Sequence, residues 1–221
     1  MTDHRVINIL FHGIGTPRRE MEPGEERYWV SVDRFHELLD EVVAWPQARL
    51  SFDDGNASDL DVGLPALLDR QVSATFFIIA GRLGSSGSVD ADGVRELRRH
   101  GMPVGSHGMW HRPWRRLTAE QATEEFHTAR DRLAELTGAP VDQAACPLGR
   151  YDRAVLARLK AAGYRRVFTS DRRPARAGAW LQPRYSVRAE DTAEGLRDIV
   201  FGQGLLGRAR SHAAGLVKRW R

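Results

Sequence analysis

Short apolar runs alternate with amphipathic stretches along this chain. Residues 6–11 (Val-Ile-Asn-Ile-Leu-Phe) form a β-type run that stops at His12-Gly13 and gives way to a polar loop as far as about residue 27. Over residues 32–43, Phe35, Leu38, Leu39, Val42 and Val43 recur at helical spacing. A run over 48–52 ends in Asp53-Asp54-Gly55, after which Ser58 or Asp59 stands where an N-cap would start a helix over about 60–70. Residues 74–80 read as a fully buried strand, 90–100 as a helix closed by Gly101, and 103–105 as a very short strand leading into Ser106-His107. The long helix predicted over 118–136 opens on a capping box, Thr118 with Gln121, and closes at Gly138. A short apolar run at 144–147, a helix over 152–162, a strand over 164–169, a last strand over 183–187 and a last helix over 192–201 complete the pattern.

This alternation predicts a mainly parallel sheet with crossover helices. The six or seven strand–helix units fall short of an eightfold barrel. The length of 221 residues, 42% of them hydrophobic, suits one globular domain. No apolar run approaches the roughly 20 residues needed to span a membrane. The first residues lack the apolar region and cleavage site of a signal peptide, so the expected location is the cytoplasm. A single cysteine, Cys146, excludes an internal disulfide and a cysteine-based zinc cluster, and is expected to be a buried thiol.

Charge divides the chain into a catalytic-size unit over 1–203 and a basic tail over 204–221. The net charge is +4, yet the tail holds Arg208, Arg210, Lys218, Arg219 and Arg221 with no acidic residue, so the rest is close to neutral. A nucleic-acid groove through the whole domain is therefore not expected. In the tail, Leu205, Leu206, Ala209, Ala213, Leu216, Val217 and Trp220 recur at near-helical spacing. A helix there would either dock on the barrel or lie on an anionic membrane surface, making the protein peripheral at the inner face of a membrane.

The reactive residues follow the strands. His12 follows the first, Asp53 and Asp54 the second, His107 and His111 the fourth, Pro147 and Gly149 the fifth, and Ser170-Asp171 the sixth. In a parallel α/β barrel the C-terminal ends of the strands form the active-site face. Two imidazoles and a carboxylate make a three-ligand set for zinc or a similar divalent ion such as cobalt or nickel, with positions left open for water and substrate. Neighbouring carboxylates at a strand end point in different directions, so one can bind metal while the other accepts a proton.

At these residues the sequence resembles the polysaccharide deacetylase family, carbohydrate esterase family 4. Ser51-Phe52-Asp53-Asp54-Gly55 matches the family's first motif, Thr/Ser-Phe-Asp-Asp-Gly, and His107-Gly-Met-Trp-His111 resembles its second, His-(Ser/Thr)-x-x-His, with Gly108 in the Ser/Thr place. The resemblance implies a distorted, incomplete (β/α)7 TIM-like barrel. It makes Asp53 the general base, Asp54, His107 and His111 the metal ligands, and the reaction hydrolysis of an acetyl group from an N-acetylated, less often O-acetylated, sugar. The third motif, Arg-x-Pro-Tyr-Gly, keeps only Pro147 and Gly149. Ala145 replaces the arginine that orients the base, leaving Arg150 as a substitute. Leu148 replaces the tyrosine whose backbone N–H serves the oxyanion hole, a role any residue's amide can fill. The Leu-x-His motif, normally near the C-terminus, occurs here as Leu10-Phe11-His12, as in circularly permuted members; that makes His12 the general acid and Leu10 a wall of the acetyl-methyl pocket. Trp180 is a candidate sugar platform. Two other readings are an amide hydrolase acting on a small non-sugar molecule and a non-catalytic glycan-binding relative, the second motivated by the missing arginine. A lipid-linked glycan precursor would suit a membrane-seeking tail.

Overall fold

The computed structural model describes residues 4–202. Its strands are β1 (Arg5–Phe11), β2 (Ala48–Asp54), β3 (Ala74–Ile78), β4 (Val104–Ser106), β5 (Gln143–Ala145), β6 (Arg166–Thr169), β7 (Ala175–Arg176) and β8 (Leu181–Ser186). Seven of them run parallel in the order β2-β3-β4-β5-β6-β8-β1, and β1 returns to pair with β2, closing the barrel. β7, too short for a sequence signal, pairs antiparallel with the first residues of β1. The helices α1 (Val32–Val43), α2 (Leu64–Asp69), α3 (Ala91–Arg99), α4 (Ala119–Thr123), α5 (Ala129–Thr137), α6 (Arg153–Ala161) and α7 (Ala193–Phe201) pack outside it. The fold is the incomplete (β/α)7 barrel that the alternation and the family resemblance imply. No helix among the described residues is long and apolar enough to cross a membrane. The tail over 204–221, with its expected helix, lies outside the described residues.

Period-two alternation sorts side chains between the outer core and the barrel interior. Ile7, Ile9 and Phe11 of β1, Leu50 and Phe52 of β2, and Phe76 and Ile78 of β3 join Phe35, Leu38 and Leu39 of α1 in the main core. The intervening positions face inward and are largely polar. Asn8 donates to Gln182 Oε1 at 3.1 Å and to the Pro183 carbonyl at 2.9 Å, and Arg184 donates to Ser51 Oγ at 3.2 Å. Phe77, Ala145 and Phe168 form a small apolar layer beside them. The interior is tight at Gly105, where a Cβ would come within 2.4 Å of the Phe77 ring.

Side-chain caps fix where most helices start. Ser31, Asp90, Thr118, Asp152 and Thr192 each accept an amide of the following turn, and Thr118 with Gln121 completes the predicted capping box. The second helix departs from expectation, because neither Ser58 nor Asp59 caps it. Ser58 Oγ instead accepts the Ile14 N–H at 3.1 Å, tying together the chain segments that leave β1 and β2, and a π-type turn, Asp59–Gly63, leads into α2. A second π-type turn, Glu124–Thr128, interrupts the long predicted helix and carries Glu125 into the interior, where it is fully buried.

Candidate active site

The C-terminal mouth of the barrel holds a cavity of about 390 Å³. Leu10, His12, Asp53, Asp54, His107, His111, Leu148 and Arg150 all line it, so eight of the nine residues given a role by sequence converge on one place. Trp180 does not. It precedes β8, at the opposite end of the barrel, where its indole donates to the Tyr164 carbonyl at 2.7 Å and packs beside Tyr164 and Val167. A sugar platform at Trp180 is thereby ruled out for this cavity.

Each imidazole is oriented by what its far nitrogen does. His107 Nδ1 lies 2.9 Å from the Ala145 carbonyl, which only accepts, so Nδ1 carries the proton. His111 Nδ1 lies 2.7 Å from Glu22 Oε2 on the loop between β1 and α1. Both Nε2 atoms are thus free to face the same point, and each sits 3.5 Å from Asp54 Oδ1. Asp54, His107 and His111 offer ligand atoms that all lie within 4.8 Å of one another. Asp54 Oδ1 is buried with no hydrogen-bond partner among the described residues, an arrangement that burial makes costly unless a cation completes it. The donor set and the orphaned oxygen fit a divalent metal. Burial, the largest influence on His107, pushes it down to about 4, leaving it neutral and able to ligate. Burial would raise Asp54, but His111, His12 and His107 outweigh it and hold it ionised.

Backbone strain gathers at the same place. Asp54, His111 and Leu148 have φ of 79°, 55° and 56°, the left-handed region that non-glycine residues seldom occupy. The loop carrying both histidines is clamped by Glu125. Its carboxylate accepts the Met109 N–H at 2.8 Å, the Trp110 N–H at 3.2 Å and the Trp114 indole at 3.1 Å, and pairs with Arg112 at 3.0 Å. Gly108 is required for this approach, since a Cβ there would lie 2.1 Å from Glu125 Oε2; that accounts for glycine in the motif's Ser/Thr place. Replacing Glu22 with alanine frees His111 to rotate and is expected to weaken divalent-metal affinity by about 10–100-fold. Chelator competition checks this, and unchanged affinity would mean that the loop does not orient the ligand.

Asp53 is held from the other side of the barrel. Arg184 of β8 donates to both its oxygens at 2.7 Å. The guanidinium lies between Phe77 and Phe168, with ring centroids 5.2 and 5.7 Å away. Burial would raise Asp53, but Arg184 and His107 outweigh it and keep it below the usual carboxylate range. The arginine absent at Ala145 therefore has a replacement, which is Arg184 and not Arg150; Arg150 is exposed at the cavity mouth. The motive for a non-catalytic reading goes with it. Asp171, which follows β6, accepts from Tyr151 at 2.6 Å and Thr169 at 2.8 Å.

His12 rests against the Tyr28 ring, with centroids 4.8 Å apart, and its Nδ1 is buried without a partner among the described residues. Burial lowers its pKa, while Asp54 and Asp53 pull the other way. Beside it, the turn Pro147–Gly149 uses the Gly149 and Arg150 amides internally, on Cys146 and Pro147 carbonyls at 3.1 Å. The Leu148 N–H donates to no backbone carbonyl among the described residues.

The family model for polysaccharide deacetylase matches residues 45–167, more than half of the sequence. The chain belongs to the polysaccharide deacetylase family. Its sequence is 24% identical over 153 residues to the Bacillus subtilis (strain 168) protein named "Putative polysaccharide deacetylase YxkH", covering 69% of this chain and 54% of that one. The chain thus spans about half the length of the curated relative it matches. The Streptococcus pyogenes deacetylase PplD, solved in complex with acetate, superimposes with a TM-score of 0.76 at 20% identity, covering 90% of this chain and 99% of that one. IcaB from Ammonifex degensii superimposes with a TM-score of 0.70 at 21% identity, over 87% and 95% of the two chains. At these identities the structures share the fold. The matched span begins after β1 and ends before β8, so Leu10, His12 and Arg184 lie outside it.

Proposed function

We propose that this family member is a metal-dependent hydrolase that removes acetyl groups from an N-acetylated glycan or glycan precursor. The observation that carries the reading is the convergence of Asp54, His107 and His111 on one point, with the Arg184-held Asp53 at the neighbouring strand position. Asp54, His107 and His111 would hold the divalent ion, zinc by the two-histidine, one-carboxylate donor set. Once bound, the ion supplies Lewis acidity that polarises the acetyl carbonyl and makes water more acidic. Asp53 is the base that takes the proton from the attacking water; ionised and clamped by Arg184, it needs no rotamer search. The Leu148 N–H serves the developing oxyanion. His12 gives a proton to the leaving nitrogen, and burial makes its imidazolium the stronger acid. Leu10 and Leu148 offer apolar walls to the acetyl methyl.

The metal comes first among the tests, because it needs no guess at substrate. Purified protein is expected to carry about one equivalent of divalent metal, and His107→Ala/His111→Ala protein almost none. Absence of metal in wild type after reconstitution with zinc, cobalt or nickel would overturn the reading.

A further inference from the structure

The charges around the cavity do not cancel. Three of the four carboxylates that line it are paired with an arginine, and the fourth, Asp54, belongs to the metal-ligand set. Asp53 has Arg184, and Asp54 has His107 and His111. Glu22 has Arg82 and His111, and Glu25 has Arg19. Two guanidinium groups lining the same cavity have no such company. Arg27, on the loop that covers His12, and Arg150, just after the Leu148 turn, are both exposed, and among the described residues neither side chain makes an ion pair or hydrogen bond.

Their backbones, by contrast, are fixed. The Ala189 N–H donates to the Arg27 carbonyl at 2.8 Å, and the Arg150 N–H donates to the Pro147 carbonyl at 3.1 Å. Two anchored, uncompensated cations thus share the mouth of a pocket whose ligand set would add a divalent cation at its floor. Such an arrangement gains nothing for the fold, since neither guanidinium has a partner among the described residues. It does focus a positive potential on whatever enters. A guanidinium fork matches the paired oxygens of a carboxylate or phosphate.

We infer that the substrate is an anionic glycan: the acetylated sugar, or its immediate neighbour, carries a carboxylate or phosphate that Arg27 and Arg150 receive. This rests on the deacetylase reading and narrows its substrate class.

The test uses the metal-loaded full chain and three matched probes: tetra-N-acetylchitotetraose, its C6-oxidised counterpart bearing carboxylates, and its 6-O-phosphorylated counterpart. Acetate release gives kcat/KM and calorimetry gives binding, for wild type and for Arg27→Gln/Arg150→Gln. An anionic probe is expected to exceed the neutral one in kcat/KM on the order of tenfold or more. The double variant is expected to lose most of that ratio, and the probe that gains more identifies carboxylate or phosphate. Acetate released from all three with equal efficiency would overturn the inference and leave the deacetylase reading standing. Arginine-dependent binding of an anionic probe with no acetate released would support anionic recognition and count against the deacetylase reading. Binding that ignores both charge and the two substitutions would overturn the inference.

Discussion

Replacing Arg184 with alanine is expected to cost the fold about 3–5 kcal/mol and to lower turnover roughly a hundredfold. The guanidinium is 1% exposed and donates to both oxygens of an Asp53 that is itself 2% exposed. Alanine removes the counterion and leaves the carboxylate buried, which is far worse than removing both. Arg184→Lys is not a conservative repair, because an ammonium cannot form the fork or lie flat between Phe77 and Phe168. The pH dependence has a definite sign. In wild type, Asp53 sits below its unfolded value, so its contribution is present above about pH 4 and is lost as pH falls through the folded value. In Arg184→Ala, burial is unopposed by the arginine and the folded carboxyl rises, so ionising it opposes folding. The stability gap between the two proteins should therefore shrink as pH is lowered from 7 towards 4. Denaturant midpoints across that range measure it. A gap that stays constant, or one below about 1 kcal/mol at pH 7, would mean that the pair is not what holds Asp53.

Arg184 also marks where sequence reading stops. The barrel itself is legible, because most of its strands and crossover helices carry a periodic or capping signal. The reactive residues at the strand ends were legible because parallel topology sends all those ends to one mouth. For the partner of Asp53 the sequence points to the third motif, where Ala145 stands, because local motifs are the visible unit. It lies 131 positions away, on a strand that reaches Asp53 only because β8 pairs with β1 and β1 with β2. The clue was the alternation Gln182-Pro183-Arg184-Tyr185-Ser186: polar residues at every second place of a closing strand imply a polar barrel interior. Glu22 and Glu125 gave no such clue. One lies in an irregular loop, and the other faces inward from a π-type turn that helical periodicity does not foresee. Trp180 lies away from the cavity because a residue just before the start of a parallel strand occupies the end of the barrel opposite the mouth.

Asp53→Asn is expected to keep the metal and lose turnover by about 10²–10⁴-fold. Asp54, His107 and His111 are untouched, so a metal-to-protein ratio equal to wild type shows that the pocket has survived. The amide cannot accept the water proton, so the chemical step loses its base. Substitution of either partner also strands the other inside the barrel, and stability loss alone could mimic lost activity. The double variant Asp53→Asn/Arg184→Met separates the two effects. It removes both charges and should recover much of the stability lost in either single variant. Its turnover should nevertheless be no lower than that of Asp53→Asn, because an arginine that acts only by positioning the base has nothing left to contribute once the base is gone. A further tenfold fall in the double variant would mean that Arg184 reaches the substrate itself. Near wild-type turnover in metal-replete Asp53→Asn would move the base to another group and, with it, the whole assignment of roles at this pocket.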